Sequence, residues 1–427
     1  MVAGCCHGAS AVRYFGDLIS NVFDRRYSSF LAGQSDDRPI NELCEALLGS
    51  RGEISGGSLA RCVLERYGEM DASEKGAFFH YLCDGLGISP QEVFRALESY
   101  QAHPSRSTYK AFSAASEPRR QELIRRLNRI EDATRDLVAM RADLLAMMPN
   151  HPRLAPLDVD FKHLFASWFN LGFLMLRPIN WNSPAAILEK IIAYEAVHMI
   201  ESWEDLRRRM QPEDRRCFAF FHPAMGDEPL IFVEVALTKG VPHSIQHLLS
   251  DTREELAAHD TDTAVFYSIS NCQPGLAGIS FGNSLIKQVV ADLAREFPQV
   301  RQFVTLSPIP GLRAWAEGAG LSLAGDPEEV RSLASCYLTQ VKRADGLPLD
   351  PVARFHLGNG AYIHAVHAEA DTSENGLRQS GGAMVNYCYD LAQIPQNHES
   401  FVGQQRVAAS KDVVNLAQKT PVQPAGD

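Results

Sequence analysis

The segment SISNCQPGLAGISFGNSLIK, residues 268–287, constrains the fold more than any other part of the chain. It continues the strand-like run TAVFYSIS, crosses Gly275, Gly278 and Gly282, and enters the pattern FGNSLIKQVVADLAREF, where Leu285, Val289, Leu293 and Phe297 share one helical face. Another apolar run, QFVTLSPI, follows. Strand, helix, strand in that order predicts a right-handed parallel crossover. Glycines at its strand-to-helix turn permit positive φ and a close approach of backbone to a ligand. The first N–H groups of the helix have no internal partner, so a negatively charged group suits the place. A tight turn alone would also use glycine. The segment has neither the GK[ST] of a Walker loop nor the GxGxxG order of a dinucleotide fold.

On either side of this crossover the chain has two textures. RRCFAFFHPAM and EPLIFVEVAL are strand-length runs separated by Gly226 and Asp227, which predicts an antiparallel hairpin with a short turn. Before residue 150 the signals are helical. DASEKGAFFHYLCDGLG and SPQEVFRALESY carry helix-start chemistry, the second with Ser89 as N-cap, Pro90 at the first helical position and Glu92 at the capping-box position. Residues 116–148 form the longest helical pattern, with Leu123, Leu127, Ile130, Leu137, Leu144 and Met148 on one side. Thr134 and Arg141 interrupt a strict heptad, so the stripe predicts a packed bundle, part of which could face another subunit. Pro149, Pro152 and Pro156 mark a boundary, after which SPAAILEKIIAYEAVHMIESWEDLRRRM reads as helix, with Ser183 capping and Pro184 at the first helical position. The fold class expected is α+β: a helical bundle over 1–155 and a mixed-sheet α/β domain over 156–427.

Composition narrows the function classes. No run approaches the roughly 20 apolar residues of a membrane span, and the N-terminus lacks the pattern of a secretory signal. A formal charge of −11 disfavours nucleic-acid binding. Nine cysteines without CxxC spacing predict reduced thiols rather than disulfides or a zinc site. These features together predict a cytoplasmic protein with no nucleic-acid or membrane partner.

Gln273, Gly275 and Gly278 approximate the pyrophosphate-loop pattern of the acyl-CoA-dependent N-acetyltransferase superfamily. More specifically, FFHPAMGDEPLIFVEVALTKG, FYSISNCQPGLAGISFGNSLIKQVV, EFPQVRQFVTLSPIPGLRAW and FHLGNGA, in this order, resemble the malonyl-CoA decarboxylase family. The resemblance implies a helical N-terminal domain and a catalytic domain of acetyltransferase-like fold. It implies catalytic roles for Ser307, in LSPIPG, and His356, in FHLGNGA, and a coenzyme A contact by Ala277, Gly278, Ile279, Ser280, Phe281, Gly282 and Asn283, with Ile286 beyond them. It also implies homo-oligomerisation through the helical domain. The family's peroxisomal form ends in Ser-Lys-Leu; this chain ends VQPAGD, which favours a cytoplasmic address.

The chemistry is consistent with those residue types. Loss of CO2 from malonyl-CoA leaves an electron pair that the thioester carbonyl delocalises as an enolate, so no metal or organic cofactor is expected and coenzyme A enters as part of the substrate. Ser307, after the strand QFVTL and before a Pro-Ile-Pro-Gly turn, is expected to orient and polarise the substrate, and His356 to deliver the proton, since imidazole titrates near neutral pH. His222, Asn359 and Tyr387 are candidates for orienting substrate. Lys287, Arg301 and Arg313 are candidate phosphate contacts, and Cys272 a candidate oxidisable thiol. His364 and His367 lie three apart, so in a strand they face opposite sides, which argues against a metal site. The chain has no GxSxG elbow, which argues against serine–histidine hydrolysis. An acyl-CoA-dependent N-acyltransferase and a non-catalytic acyl-CoA-binding regulator are the alternatives.

Overall fold

The computed structural model describes residues 36–50, 52–279 and 285–420. These divide into two compact units that meet in sequence between Phe165 and Ala166, within the helix Ala155–Trp168. The first unit is helical. Asp71 and Glu74 form a full capping box on Ala72–Asp84, and Ser89 accepts the Glu92 amide at the start of Pro90–Ala102. The long pattern over 116–148 is two helices, Arg119–Leu127 and Ala133–Met147, separated where Asp132 takes a left-handed conformation at φ 60°. Its apolar stripe is spent inside this unit, with Leu123, Leu127, Leu137 and Leu144 at 0–1% exposure. Arg141, which breaks the heptad, is equally buried and pairs through Nε with Asp158 Oδ1 at 2.9 Å. Arg120 pairs in the same way with Asp160 at 2.5 Å.

The second unit is built on an eight-stranded mixed sheet. Its strands are β1 (Met175–Ile179), β2 (Arg215–Phe221), β3 (Pro229–Thr238), β4 (Thr263–Asn271), β5 (Gln302–Thr305), β6 (Ser307–Pro308), β7 (Tyr362–His367) and β8 (Met384–Cys388). The order is β1-β2-β3-β4-β5-β8-β6, with β7 on β8. Only β4 and β5 run parallel, joined by the helix Leu285–Glu296, as the crossover requires. The hairpin β2–β3 is antiparallel, but its connection is longer than two residues, because Phe221 ends the strand and His222 begins a turn containing the 3-10 segment Pro223–Met225. Residues 184–210 are not one helix: Ala185–Tyr194 and Trp203–Met210 are separate. Pro184 rather than Ser183 is the N-cap, and the Ser183 hydroxyl instead accepts the Asn180 amide.

Strand alternation divides the sheet's surroundings. Val265, Val304 and Cys388 share one apolar cluster with Ala236 and Leu306. Period-two alternation then places Thr305, Tyr387 and Tyr389 on the other face. Between Glu234 and Val235 the register slips by one, leaving Tyr267 as the extra residue of a β-bulge.

At that bulge Glu234 is fully buried, and neither carboxyl oxygen has a hydrogen-bond partner among the described residues. Arg209 Nη1 stays 3.6 Å away, its other bonds going to Asp205 and to the His198 and Met199 carbonyls. Burial, reinforced by the charge of Glu195, pushes the Glu234 carboxyl up to about 8 from 4.5. The folded state therefore keeps a proton that the unfolded chain releases, so the Glu234 contribution weakens as pH rises from about 4.5 to about 8. The slope is at most ~1.4 kcal/mol per pH unit. Urea unfolding at pH 5 and pH 8 should show a smaller loss for Glu234→Gln than for the parent; equal losses would mean that Glu234 folds ionised.

Candidate active site

Two residues 49 positions apart in sequence meet on the face of the sheet opposite the Val304 cluster. Ser307 opens β6 immediately after β5, where Pro308 fixes the backbone, and its hydroxyl donates to Thr305 Oγ1 at 2.8 Å. Thr305 is held in turn, its Oγ1 accepting the Tyr387 amide at 3.0 Å and its carbonyl accepting Asn386 Nδ2 at 2.6 Å. His356 lies near the end of the helix Pro351–Gly358, with Nε2 3.2 Å from Ser307 Oγ and Nδ1 2.8 Å from the Tyr389 hydroxyl. The Tyr387 ring stacks on the imidazole at 4.5 Å and 23°.

The balance of donors assigns the protons. Ser307 spends its one hydrogen on Thr305, so Nε2–H of His356 is the donor to Ser307 Oγ. Nδ1 is then an acceptor, and Tyr389 O–H donates to it. The outcome is a directed chain, Tyr389 to His356 to Ser307 to Thr305. Burial supports it electrostatically: it pushes the imidazole down to about 3 and holds the Tyr389 phenol well above its usual range. His356 is therefore a neutral imidazole at physiological pH, not a group poised to change charge near neutrality, as its residue type suggested.

The other candidates divide. Tyr387 is fully buried against His356, and its hydroxyl has no partner among the described residues. Asn359 caps its own helix, Nδ2 donating to the Phe355 carbonyl at 2.7 Å. His222 is likewise committed locally: Nδ1 accepts the Ala224 amide and Nε2 donates to the Trp168 carbonyl, each at 3.1 Å. Of the glycine-rich turn, Ala277, Gly278 and Ile279 follow the 3-10 segment Pro274–Leu276, with Gly278 at φ +73°, a conformation that glycine takes without strain. The amides of Ala277 and Ile279 donate to the Pro274 and Leu276 carbonyls. Ile286 packs inward at 1% exposure. Ser280, Phe281, Gly282 and Asn283 lie outside the described residues. Gln273, the residue that heads the loop pattern, donates to the Pro229 carbonyl and ties the turn to β3.

Cys272 is buried and its thiol is pushed up by burial, so it is no reactive thiolate. Arg313 donates to the Leu377 carbonyl, and burial pushes Lys287 down. His364 bonds the Tyr362 hydroxyl, whereas His367 donates to Asn386 Oδ1. Among the described residues no cluster of three or more His, Cys, Asp or Glu has a metal-binding arrangement.

Sequence reasoning missed Thr305 and Tyr389. Both were within reach of a period-two argument: Thr305 is two positions before Ser307, and Tyr389 two after Tyr387, so each shares a face with a residue already singled out.

Comparison with known proteins agrees with this architecture. The family model for the malonyl-CoA decarboxylase N-terminal domain matches residues 86–169, and that for the C-terminal domain matches 172–325 and 324–425. A mitochondrial malonyl-CoA decarboxylase of Anser anser anser is 36% identical over 352 residues, 70% of this chain and 69% of the relative. The mouse protein of that name is 31% identical, covering 82% of this chain and 83% of its own. The crystal structure of malonyl-CoA decarboxylase from Rhodopseudomonas palustris superposes with a TM-score of 0.84 at 48% identity, covering 88% of this chain and 98% of that one. With both family domains matched in order and the buried serine–histidine pair inside the C-terminal one, the chain belongs to the malonyl-CoA decarboxylase family and is a carboxy-lyase.

Proposed function

We propose that this chain converts malonyl-CoA to acetyl-CoA and CO2, with Ser307 and His356 at the reacting centre. The observation that carries the assignment is the buried 3.2 Å contact between Ser307 Oγ and His356 Nε2. In this reading the bond from C2 to the carboxylate carbon breaks, and its electron pair passes through C2 to the thioester oxygen as an enolate. Ser307 turns its hydroxyl hydrogen from Thr305 to the acyl group, which it holds and polarises. The Nε2 proton of His356 then goes to C2, giving the methyl group of acetyl-CoA. Nδ1 takes the Tyr389 proton along their 2.8 Å bond as Nε2 gives up its own, and one proton taken up from solvent after product release, with reversal of the relay, restores both the phenol and the Nε2–H tautomer. A neutral imidazole suits this role, because it carries a proton without bringing an uncompensated charge into a buried site. The thioester itself stabilises the electron pair, so the scheme uses neither metal nor organic cofactor. Tyr387 confines the imidazole plane, and the turn at 277–283 with Ile286 is assigned to the coenzyme A moiety.

Three further assignments accompany this reading. We assign the catalytic domain to the residues after about 155. The seven described cysteines are all free, which suits a reducing compartment such as the cytoplasm. Homo-oligomerisation is assigned to the helical pair Pro90–Ala102 and Arg106–Ala115 rather than to the 116–148 stripe, because neither helix buries a residue within the chain and Phe94 and Tyr109 are 60% and 58% exposed.

Release of CO2 from carboxyl-labelled malonyl-CoA with no acceptor present tests the activity. Turnover is expected. Consumption of acyl-CoA only when an amine is supplied would establish an N-acyltransferase instead, and binding without turnover a regulator.

A further inference from the structure

The helix Pro351–Gly358 is eight residues long and presents His356 two residues before its end. Its last turn is fastened by the amides of Asn359 and Ala361, both of which donate to the His356 carbonyl at 3.1 Å. Its first turn is fastened by Asp350, whose Oδ1 accepts the Ala353 amide at 2.8 Å. Asn, Ser or Thr serves equally as an N-cap, and N-caps ordinarily face solvent. Asp350 is fully buried, and Oδ2 has no hydrogen-bond partner among the described residues. A buried carboxylate with an unused oxygen is costly, so a cap alone does not account for it.

The neighbours indicate what the charge acts on. Tyr387, whose ring stacks on His356, has its hydroxyl raised by burial and then by the charge of Asp350, and that hydroxyl is the second buried polar atom here without a partner. Tyr337, on the helix Pro327–Gln340, is raised for the same two reasons. The charge of Arg354 also acts on Asp350, and its Nη1 is bound to the Pro348 and Leu349 carbonyls. The nearby Ala353, Val352 and Gly311 amides favour the ionised carboxylate. Asp350 thus reaches the imidazole through the helix that carries His356, without touching it.

We propose that Asp350 is a positioning residue whose carboxylate charge, acting through the helix N-terminus, sets the orientation of the His356 imidazole toward Ser307. An ionised cap binds its amides and the positive end of the helix more strongly than a neutral one. The orientation then depends on Asp350 staying ionised. Burial raises the Asp350 carboxyl to about 6, whereas His356 is held at about 3. A fall in kcat as pH drops through about 6 therefore belongs to Asp350 and not to the histidine.

The test rests on the proposed function for its kinetic arm and is independent of it in its spectroscopic arm. Asp350→Asn keeps an acceptor oxygen at the cap and removes the charge. At saturating malonyl-CoA it should lower kcat about 10- to 100-fold, the range for misplacing a catalytic group, with KM within about twofold. It should also abolish the acid limb near pH 6 while leaving thermal stability above that of Asp350→Ala. In the free protein, histidine-selective 15N spectra should place the His356 proton on Nε2 in the parent and show that signal broadened or mixed in Asp350→Asn. Parental kcat and acid limb in Asp350→Asn, or an unchanged His356 signal, overturns the proposal and leaves Asp350 as a cap only. Should the parent release no CO2 while the His356 signal still responds to Asp350→Asn, the functional reading fails and the positioning role stands.

Discussion

His356→Ala lowers kcat for CO2 release by about 10²–10⁴-fold, the contribution of a positioned proton donor. The loss is expected mainly in kcat, because Nε2 faces Ser307 and, in the proposed function, the reacting carbon rather than the coenzyme moiety. The imidazole is 2% exposed and stacked on Tyr387, so alanine also leaves a cavity. His356→Gln separates the two effects, filling most of the volume with a side chain that cannot relay a proton between two partners. It should be nearly as inactive as His356→Ala with a smaller loss in thermal stability. Ser307→Ala should cost less than either, since the imidazole keeps its Tyr389 bond and its proton. Parental turnover in His356→Gln would remove the histidine from the chemistry. The direction of proton flow adds a further check: with Tyr389 donating to Nδ1, Tyr389→Phe leaves Nδ1 without its donor and should slow the same step without changing substrate affinity.

Much of this arrangement was legible in the chain, for identifiable reasons. The β4–helix–β5 crossover was readable because periodicity changes from two to 3.6 and back between Thr263 and Thr305, with glycines at the strand-to-helix turn. The pairing of Ser307 with His356 was readable only through resemblance to a family, since no local rule joins a strand residue to a helix residue 49 positions away. What sequence reasoning could not supply was environment. Residue type alone gives imidazole a value near neutrality, and only burial reveals that this one stays neutral. The helix breaks near 128–132 and 195–202 were hidden because those residues carry helix-compatible side chains, and tertiary packing decides against them. The first strand of the hairpin ends at Phe221 because the His222 ring accepts the Ala224 amide and caps a turn rather than extending the ladder. Glu234 and Asp350 read in sequence as ordinary acids and are among the most buried groups in the domain.

The same lesson sets the largest stability effect expected of a single substitution. In the sequence Arg141 is an interruption of the heptad in an apolar stripe. It is 0% exposed, with its guanidinium on Asp158, which is itself 5% exposed at the side chain and reached from the surface by Lys162 at 2.7 Å. Arg141→Ala strands the Asp158 carboxylate with only that outer lysine, and breaking a buried pair from one side costs about 3–5 kcal/mol. Chemical denaturation followed by helical signal should show the loss in the N-terminal unit, whereas Lys162→Ala, which removes an ammonium 47% exposed, should change stability by less than about 1 kcal/mol. The charge itself, rather than the volume, is the cause. Arg141→Met with Asp158→Leu, which removes both charges and keeps apolar bulk, should therefore recover most of the loss. If the double variant is as unstable as Arg141→Ala, the cost comes from packing and other bonds of the guanidinium, and the ion pair is not what organises this bundle.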